Sequence, residues 1–176
     1  MQESRIFPAA QLVGFVGMTI SFISFQTDTK KRILILLSLA NFIWGIHYIM
    51  LGAFTGAVIC FIEIVRNLIF AQEKKLKQPK IWTVLFIIVF AIAGYITWVG
   101  LLSLATTGVV ILVTISYAFG NTRFIRICAT ASSVIWLVYN ALQLSLAGAI
   151  TEVFCLVSLL IAFWRFDIRK QPDTKI

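Results

Sequence analysis

From Ile81 to Phe119 the chain carries no charged residue. One helical crossing of a bilayer needs roughly 20 apolar residues, and this run is about twice that length. It breaks near its middle at Trp98-Val99-Gly100, which reads as a tight turn between two crossings. Composition agrees: 60% of the residues are hydrophobic and 12% are charged, against about half and about a quarter in a soluble domain. A membrane β-barrel needs alternating apolar and polar residues, and runs such as ILILLSLA and LFIIVFAIA do not alternate. The expected fold class is an all-α polytopic membrane protein.

Charge and turn signals place seven transmembrane helices, at about 8–26, 33–51, 54–71, 81–99, 102–119, 124–143 and 147–165. The first is read as a span and not as a signal peptide. Its apolar run, Pro8 to Phe25, ends in the basic stop QTDTKKR and not in a small-residue cleavage site. With seven spans, 14 of the 15 basic residues fall on one side of the membrane and only Arg5 on the other. They are Lys30, Lys31 and Arg32; Arg66, Lys74, Lys75, Lys77 and Lys80; Arg123 and Arg126; and Arg165, Arg169, Lys170 and Lys175. The second, fourth and sixth loops are uncharged. The positive-inside rule then puts the N-terminus outside and the C-terminus in the cytoplasm. A single crossing over 81–119 would throw the later basic loops to the wrong side.

The segment Gln26 to Ala71 holds a basic turn, a Trp-centred span, a Gly turn and a further span, and most of this plan returns from Asn121 to Phe166. At one constant offset Trp44 falls on Trp136, Gly56 on Gly148, Ala57 on Ala149 and Lys31 on Arg123. This pattern reads as a duplicated unit of three helices joined by a linker helix, a 3+1+3 plan. The extra crossing gives both copies the same orientation, as in transporters with parallel repeats. The expected divisions are 1–72 for the first repeat, 73–100 for the basic linker and linker helix, 101–166 for the second repeat and 167–176 for a cytoplasmic tail.

Further residues carry a resemblance: Gln26, Asp28-Thr29-Lys30-Lys31-Arg32, Trp44, His47, Leu51-Gly52-Ala53, Thr55-Gly56-Ala57 and Arg66. In these the chain resembles the YgjV-like family of bacterial inner-membrane proteins, within the SWEET, SemiSWEET and PQ-loop superfamily of transporters. The resemblance implies three-helix bundles with a site between them. In sugar-carrying relatives a Trp from the second helix of each triplet and an Asn from the third line the pocket. Trp44 and Trp136 match the Trp, while Cys60 and Glu152 stand where the Asn is expected. The Pro-Gln pair ahead of each basic turn is replaced by Phe25-Gln26 and Phe119-Gly120. The chain therefore departs from the sugar pattern.

Ionisable groups inside a bilayer cost about 2.5–3.5 kcal/mol or more each, so they face a bundle interior or a wet cavity. Glu63, Arg66 and Asn67 share one helix face. They read either as a polar site with Glu63 accepting a proton or solute, or as a self-neutralising Glu63–Arg66 pair. Asn41, Trp44 and His47 form a stripe on the second span, answered by Ser133, Trp136, Asn140 and Gln143 on the sixth. Two such stripes facing each other would make a pocket with indole walls and amide contacts. The candidate substrate-binding residues are Asn41, Trp44, His47, Glu63, Asn67, Trp136 and Asn140. Glu152 is read as a wet interfacial carboxylate, Trp82, Trp98 and Trp164 as interfacial anchors, and Gly14, Gly17, Gly52 and Gly56 as packing positions.

Enzyme signatures are lacking: no Gly-rich phosphate loop, no HExxH, no GxSxG, and a single His. No CxxC pair or His/Cys cluster indicates a metal, and no cofactor is expected. The net charge of +8 punctuates oily runs and forms no aromatic-interleaved patch, so nucleic acid is not an expected partner. The expected partners are the lipid bilayer and a small polar solute, and a homo-oligomer stays open. Two functions follow. One is a carrier working by alternating access, with proton coupling through Glu63 or His47. The other is a non-transporting assembly protein that uses Lys30–Arg32 and Lys74–Lys80 on anionic lipid or a partner.

Overall fold

The computed structural model describes residues 3–25, 30–72, 78–119 and 122–164. Among these the chain forms seven helices and no strand: α1 Glu3–Phe25, α2 Lys30–Met50, α3 Phe54–Phe70, α4 Pro79–Ile96, α5 Leu101–Phe119, α6 Thr122–Leu142 and α7 Leu146–Phe163. Each expected span falls on one helix, with ends within a few residues. The uncharged run splits where the sequence indicated, at Thr97–Gly100, and Gly100 takes the left-handed backbone of a turn (φ +105°). Gln26, Asp28, Thr29, Lys74, Lys75, Lys77, Gly120, Arg165, Arg169, Lys170, Lys175 and the tail at 167–176 lie outside the described residues.

Three helices hold stretches long and apolar enough to cross a membrane: Phe7–Ser24 in α1, Lys31–Met50 in α2 and Pro79–Ile96 in α4. Shorter apolar stretches fill α5, α6 and α7, while α3 carries Glu63 and Arg66. The surface is oily throughout. Tyr95, Val99 and Leu101 are about four-fifths exposed, and Leu12, Ile81 and Leu160 project outward as well. The interior collects hydroxyls: Ser21, Ser38, Thr83, Thr106, Thr114 and Thr151 are all buried. Each donates to the carbonyl one turn back in its own helix, at 2.7–3.0 Å. Self-satisfaction of this kind lets a polar side chain lie inside without a partner helix.

Short turns make successive helices antiparallel neighbours. Each helix packs on the next in the chain, α1 closes against α7, and α3 also touches α5. The ends of α1, α3, α5 and α7 and the starts of α2, α4 and α6 therefore lie at one end, with Lys31, Arg32, Lys80 and Arg123 among the described residues there. The uncharged turns lie at the other. Two apolar clusters fill the bundle. One joins α3, α4 and α5 through Ile59, Phe70, Phe86, Phe90 and Val110. The other, around Ala40, Trp44, Tyr48, Ala57, Tyr139 and Ala147, surrounds the site described next.

The turns entering α3 and α7 share one geometry. Ala53 N donates to Tyr48 O at 2.8 Å and Gly52 N to Ile49 O at 3.0 Å, the paired bonds of a Schellman cap. Gly52 supplies the left-handed residue (φ +70°), and nothing lies near where its Cβ would be. It serves the turn and not close packing. After α6, Ser145 N donates to Asn140 O at 2.8 Å and Leu144 N to Ala141 O at 3.2 Å. Here Leu144 takes the left-handed position (φ 54°), which costs an L-residue with a Cβ roughly 1–2 kcal/mol. Gly14, Gly17 and Gly56 do serve packing: a Cβ on them would run into His47 and Ala147, into Trp44, and into Tyr139.

Candidate functional site

Residues three and four apart share a helix face. On α2 that face is Leu37, Asn41, Trp44 and Tyr48; on α3 it is Cys60 and Glu63; on α6, Trp136 and Asn140; on α7, Gly148, Thr151, Glu152 and Cys155. With Ser21 of α1 they enclose a cavity of about 160 Å³. Five of the seven expected residues meet there: Asn41, Trp44, Glu63, Trp136 and Asn140.

The aromatic wall differs from two facing indoles. Tyr48 lies between them, stacked on Trp44 with ring centres 6.0 Å apart and on Trp136 at 5.9 Å, the planes inclined by 29° and 24°. Trp44 Nε1 donates to Ser21 Oγ at 3.3 Å. The Tyr48 hydroxyl donates to Asn140 Oδ1 at 2.8 Å, a bond between residues 92 positions apart. The same offset relates Trp44 to Trp136, Cys60 to Glu152 and Glu63 to Cys155, and all of these positions line the one cavity.

The polar wall is held chiefly by Glu63. Its Oε1 accepts from Arg66 Nη2 at 2.8 Å and its Oε2 from Asn41 Nδ2 at 3.2 Å. Arg66 is buried at 3% exposure. It also donates to Thr114 Oγ1 at 3.1 Å and to Asn67 Oδ1 at 3.3–3.4 Å, and lies 5.7 Å from the centre of the Phe90 ring. The Glu63–Arg66 pair is thus a closed, hydrogen-bonded ion pair, of which only the carboxylate reaches the cavity. Asn67 stands behind it as a partner of Arg66 and does not line the cavity. Glu152 is placed differently from its interfacial reading. It lies in the cavity wall, and no salt bridge reaches it among the described residues.

His47 is also outside the cavity. It is fully buried, with Nδ1 2.7 Å from Ala10 O and Nε2 2.7 Å from Ser145 Oγ. A carbonyl can only accept, so Nδ1 carries a proton, and Nε2 accepts from the Ser145 hydroxyl, which itself accepts from Gly148 N at 3.2 Å. His47 belongs to a latch at the uncharged end of the bundle. Gln11 Nε2 donates to Leu144 O at 2.8 Å, and Ala147 N donates to Gln11 Oε1 at 3.2 Å. The Tyr139 hydroxyl accepts from Gly56 N at 2.9 Å and donates to Ala53 O at 3.3 Å. The latch is reciprocal: His47 reaches Ser145, and Tyr139, at the equivalent place in α6, reaches Ala53.

Sequence reasoning missed Tyr48, Ser21, Thr151 and Glu152 as lining residues. The offset pairing of Cys60 with Glu152 and of Tyr48 with Asn140 was the signal available for most of them. Among the described residues no group of His, Cys, Asp and Glu is arranged to hold a metal.

The model of one protein family, Imp-YgjV, described as bacterial inner membrane protein, matches residues 8–170. No curated protein and no solved structure matches the chain.

Proposed function

The chain belongs to the Imp-YgjV family of bacterial inner membrane proteins, and from that premise we propose that it is a carrier of a small polar solute. All seven helices cross the bilayer, with the basic joints in the cytoplasm and the uncharged turns in the periplasm. α1–α3 and α5–α7 are parallel repeats joined by α4, in the manner of the SWEET and PQ-loop transporters. The observation that carries this reading is the cavity. It lies where α2 and α3 meet α6 and α7, and its lining is drawn from positions paired by one offset. Carriers built from repeats place their site at the repeat interface near the midplane. The latch closes the cavity at the periplasmic end, so this conformation is the one awaiting solute from the cytoplasm or releasing it there. Opposite rocking of the two bundles would break the latch bonds of His47, Tyr139 and Gln11 together.

The competing reading, an assembly protein that works through its basic face, draws on exposed Lys31, Arg32 and Lys80 at that end. Cysteine accessibility separates the two. In a chain with Cys60, Cys128 and Cys155 replaced, single cysteines at Asn41 and Thr151 are expected to react with a membrane-impermeant thiol reagent from the cytoplasmic side. A cysteine at Ser145 is expected to stay protected. Silence at Asn41 and Thr151 alongside reactive loop controls would mean a dry midplane and would end the carrier reading.

A further inference from the structure

The cavity holds two carboxylates of opposite standing. Glu63 is neutralised by Arg66 and its second oxygen is bonded to Asn41. Glu152 has no cation for a partner among the described residues. The nearest charge sharing its cavity is the Glu63 carboxylate, which repels another anion. Counting Glu63 and Arg66 as a neutral pair, Glu152 is the cavity's one carboxyl group with no counter-charge among the described residues. A carboxylate without a cation is disfavoured in a water-poor interior, and an anionic or neutral solute would leave it so.

The opposite wall supplies what a cation needs besides a counter-charge. Trp44, Tyr48 and Trp136 line the cavity as a run of stacked rings, and aromatic rings attract cations within about 6 Å of the ring centre. Acceptor oxygens surround the space on Ser21, Asn140, Thr151 and both carboxylates. About 160 Å³ suits a molecule of only a few heavy atoms.

Building on the carrier reading, we infer that the solute is a small organic cation, an alkylguanidinium or alkylammonium, held between the Glu152 carboxylate and the aromatic wall. Glu152 supplies the charge selectivity, Glu63 and Asn41 the directional acceptors, and the rings the remaining contact.

The test uses the full chain, purified in lipid nanodiscs, and two probes of nearly identical shape: methylguanidinium and the neutral methylurea. Binding is followed by calorimetric titration. Methylguanidinium is expected to bind at least tenfold more tightly than methylurea, and Glu152→Gln is expected to abolish that preference. Glu152→Asp is expected to restore part of it. The comparison of probes on the unaltered chain stands even if a variant fails to fold. Equal binding of both probes, binding of methylurea or glycerol alone, or binding of neither would overturn the inference. The cysteine experiment distinguishes the levels: reactive Asn41 and Thr151 positions with no cation preference sink the solute class and leave the carrier standing, whereas protected positions sink both.

Discussion

Helices α3 and α7 both line the cavity and handle an acidic residue in opposite ways. In α3 the carboxylate of Glu63 has a guanidinium one turn on, and that guanidinium is fixed in turn by Thr114 and Asn67. In α7 the position equivalent to Glu63 is Cys155, that equivalent to Arg66 is Ser158, and the acid has moved to Glu152, opposite Cys60. One helix thus contains a finished ion pair and the other a carboxyl group with no counter-ion among the described residues. The first belongs to the structure, because burying both partners is tolerable only when every donor and acceptor is met. The second is the one that the proposed cation would use.

The largest expected effect tests the finished pair. Arg66→Gln leaves Glu63 without its counter-ion, and Glu63→Gln leaves a buried guanidinium. Each is expected to destabilise the protein by about 3–5 kcal/mol, seen as a marked fall in the thermal midpoint in detergent. The double variant is expected to recover most of the loss. If the singles prove harmless, the pair is not structural and the contrast between α3 and α7 collapses.

Next in size is the latch. Tyr139→Phe removes the hydroxyl that serves Gly56 N and Ala53 O, at a cost of about 1–3 kcal/mol for the groups left unpaired. It is also expected to raise reactivity of a cysteine at Ser145 toward a periplasmic reagent. A stability loss without that change in access would assign Tyr139 to packing alone.

Glu152→Gln is expected to leave thermal stability within about 1 kcal/mol of the parent chain, or to raise it, since replacing an unpaired charge removes a penalty. A fall as large as that of Glu63→Gln would show the two acids to be alike. The smallest effect lies in the turns. Leu144→Gly relieves the left-handed strain but loosens the unfolded chain, so a gain of about 1 kcal/mol or less is expected. Gly52→Ala at the matching turn is expected to lose about 1 kcal/mol. Equal outcomes at both would mean that the two caps do not share a geometry.

The sequence made the helices legible because membrane helices are bounded by charge and turn chemistry, and both are local. The uncharged turn at 97–100 was found from the length of the run, the turn signal at Gly100 and the side on which the later basic loops fall. Trp44 and Trp136 were found by their offset and their depth. Which neighbour of a residue faces inward is harder to read. His47 and Tyr48 are adjacent and follow Trp44 at three and four residues, so helical spacing admits either to the same face. The angle at which α6 and α7 approach α2 sends Tyr48 to the cavity and His47 to the latch. Glu152 was misplaced for a related reason. One turn from a helix start reads as interfacial only if that end meets water, and here Gln11 and Ala147 cover it. Closure of α1 on α7 left no local trace at all.

That closure bears on how the protein is made. Gln11 is bonded to Leu144, a separation of 133 residues along the chain. At synthesis rates of about 5–20 residues per second, roughly 7–27 seconds separate the two partners on the ribosome. Throughout that interval the inward face of α1 has its amide and no α7 to receive it, inside or beside a membrane that offers few hydrogen bonds. A chain interrupted before α6 is complete would retain this polar face as a mark of unfinished assembly, and the last helix to arrive is the one that removes it.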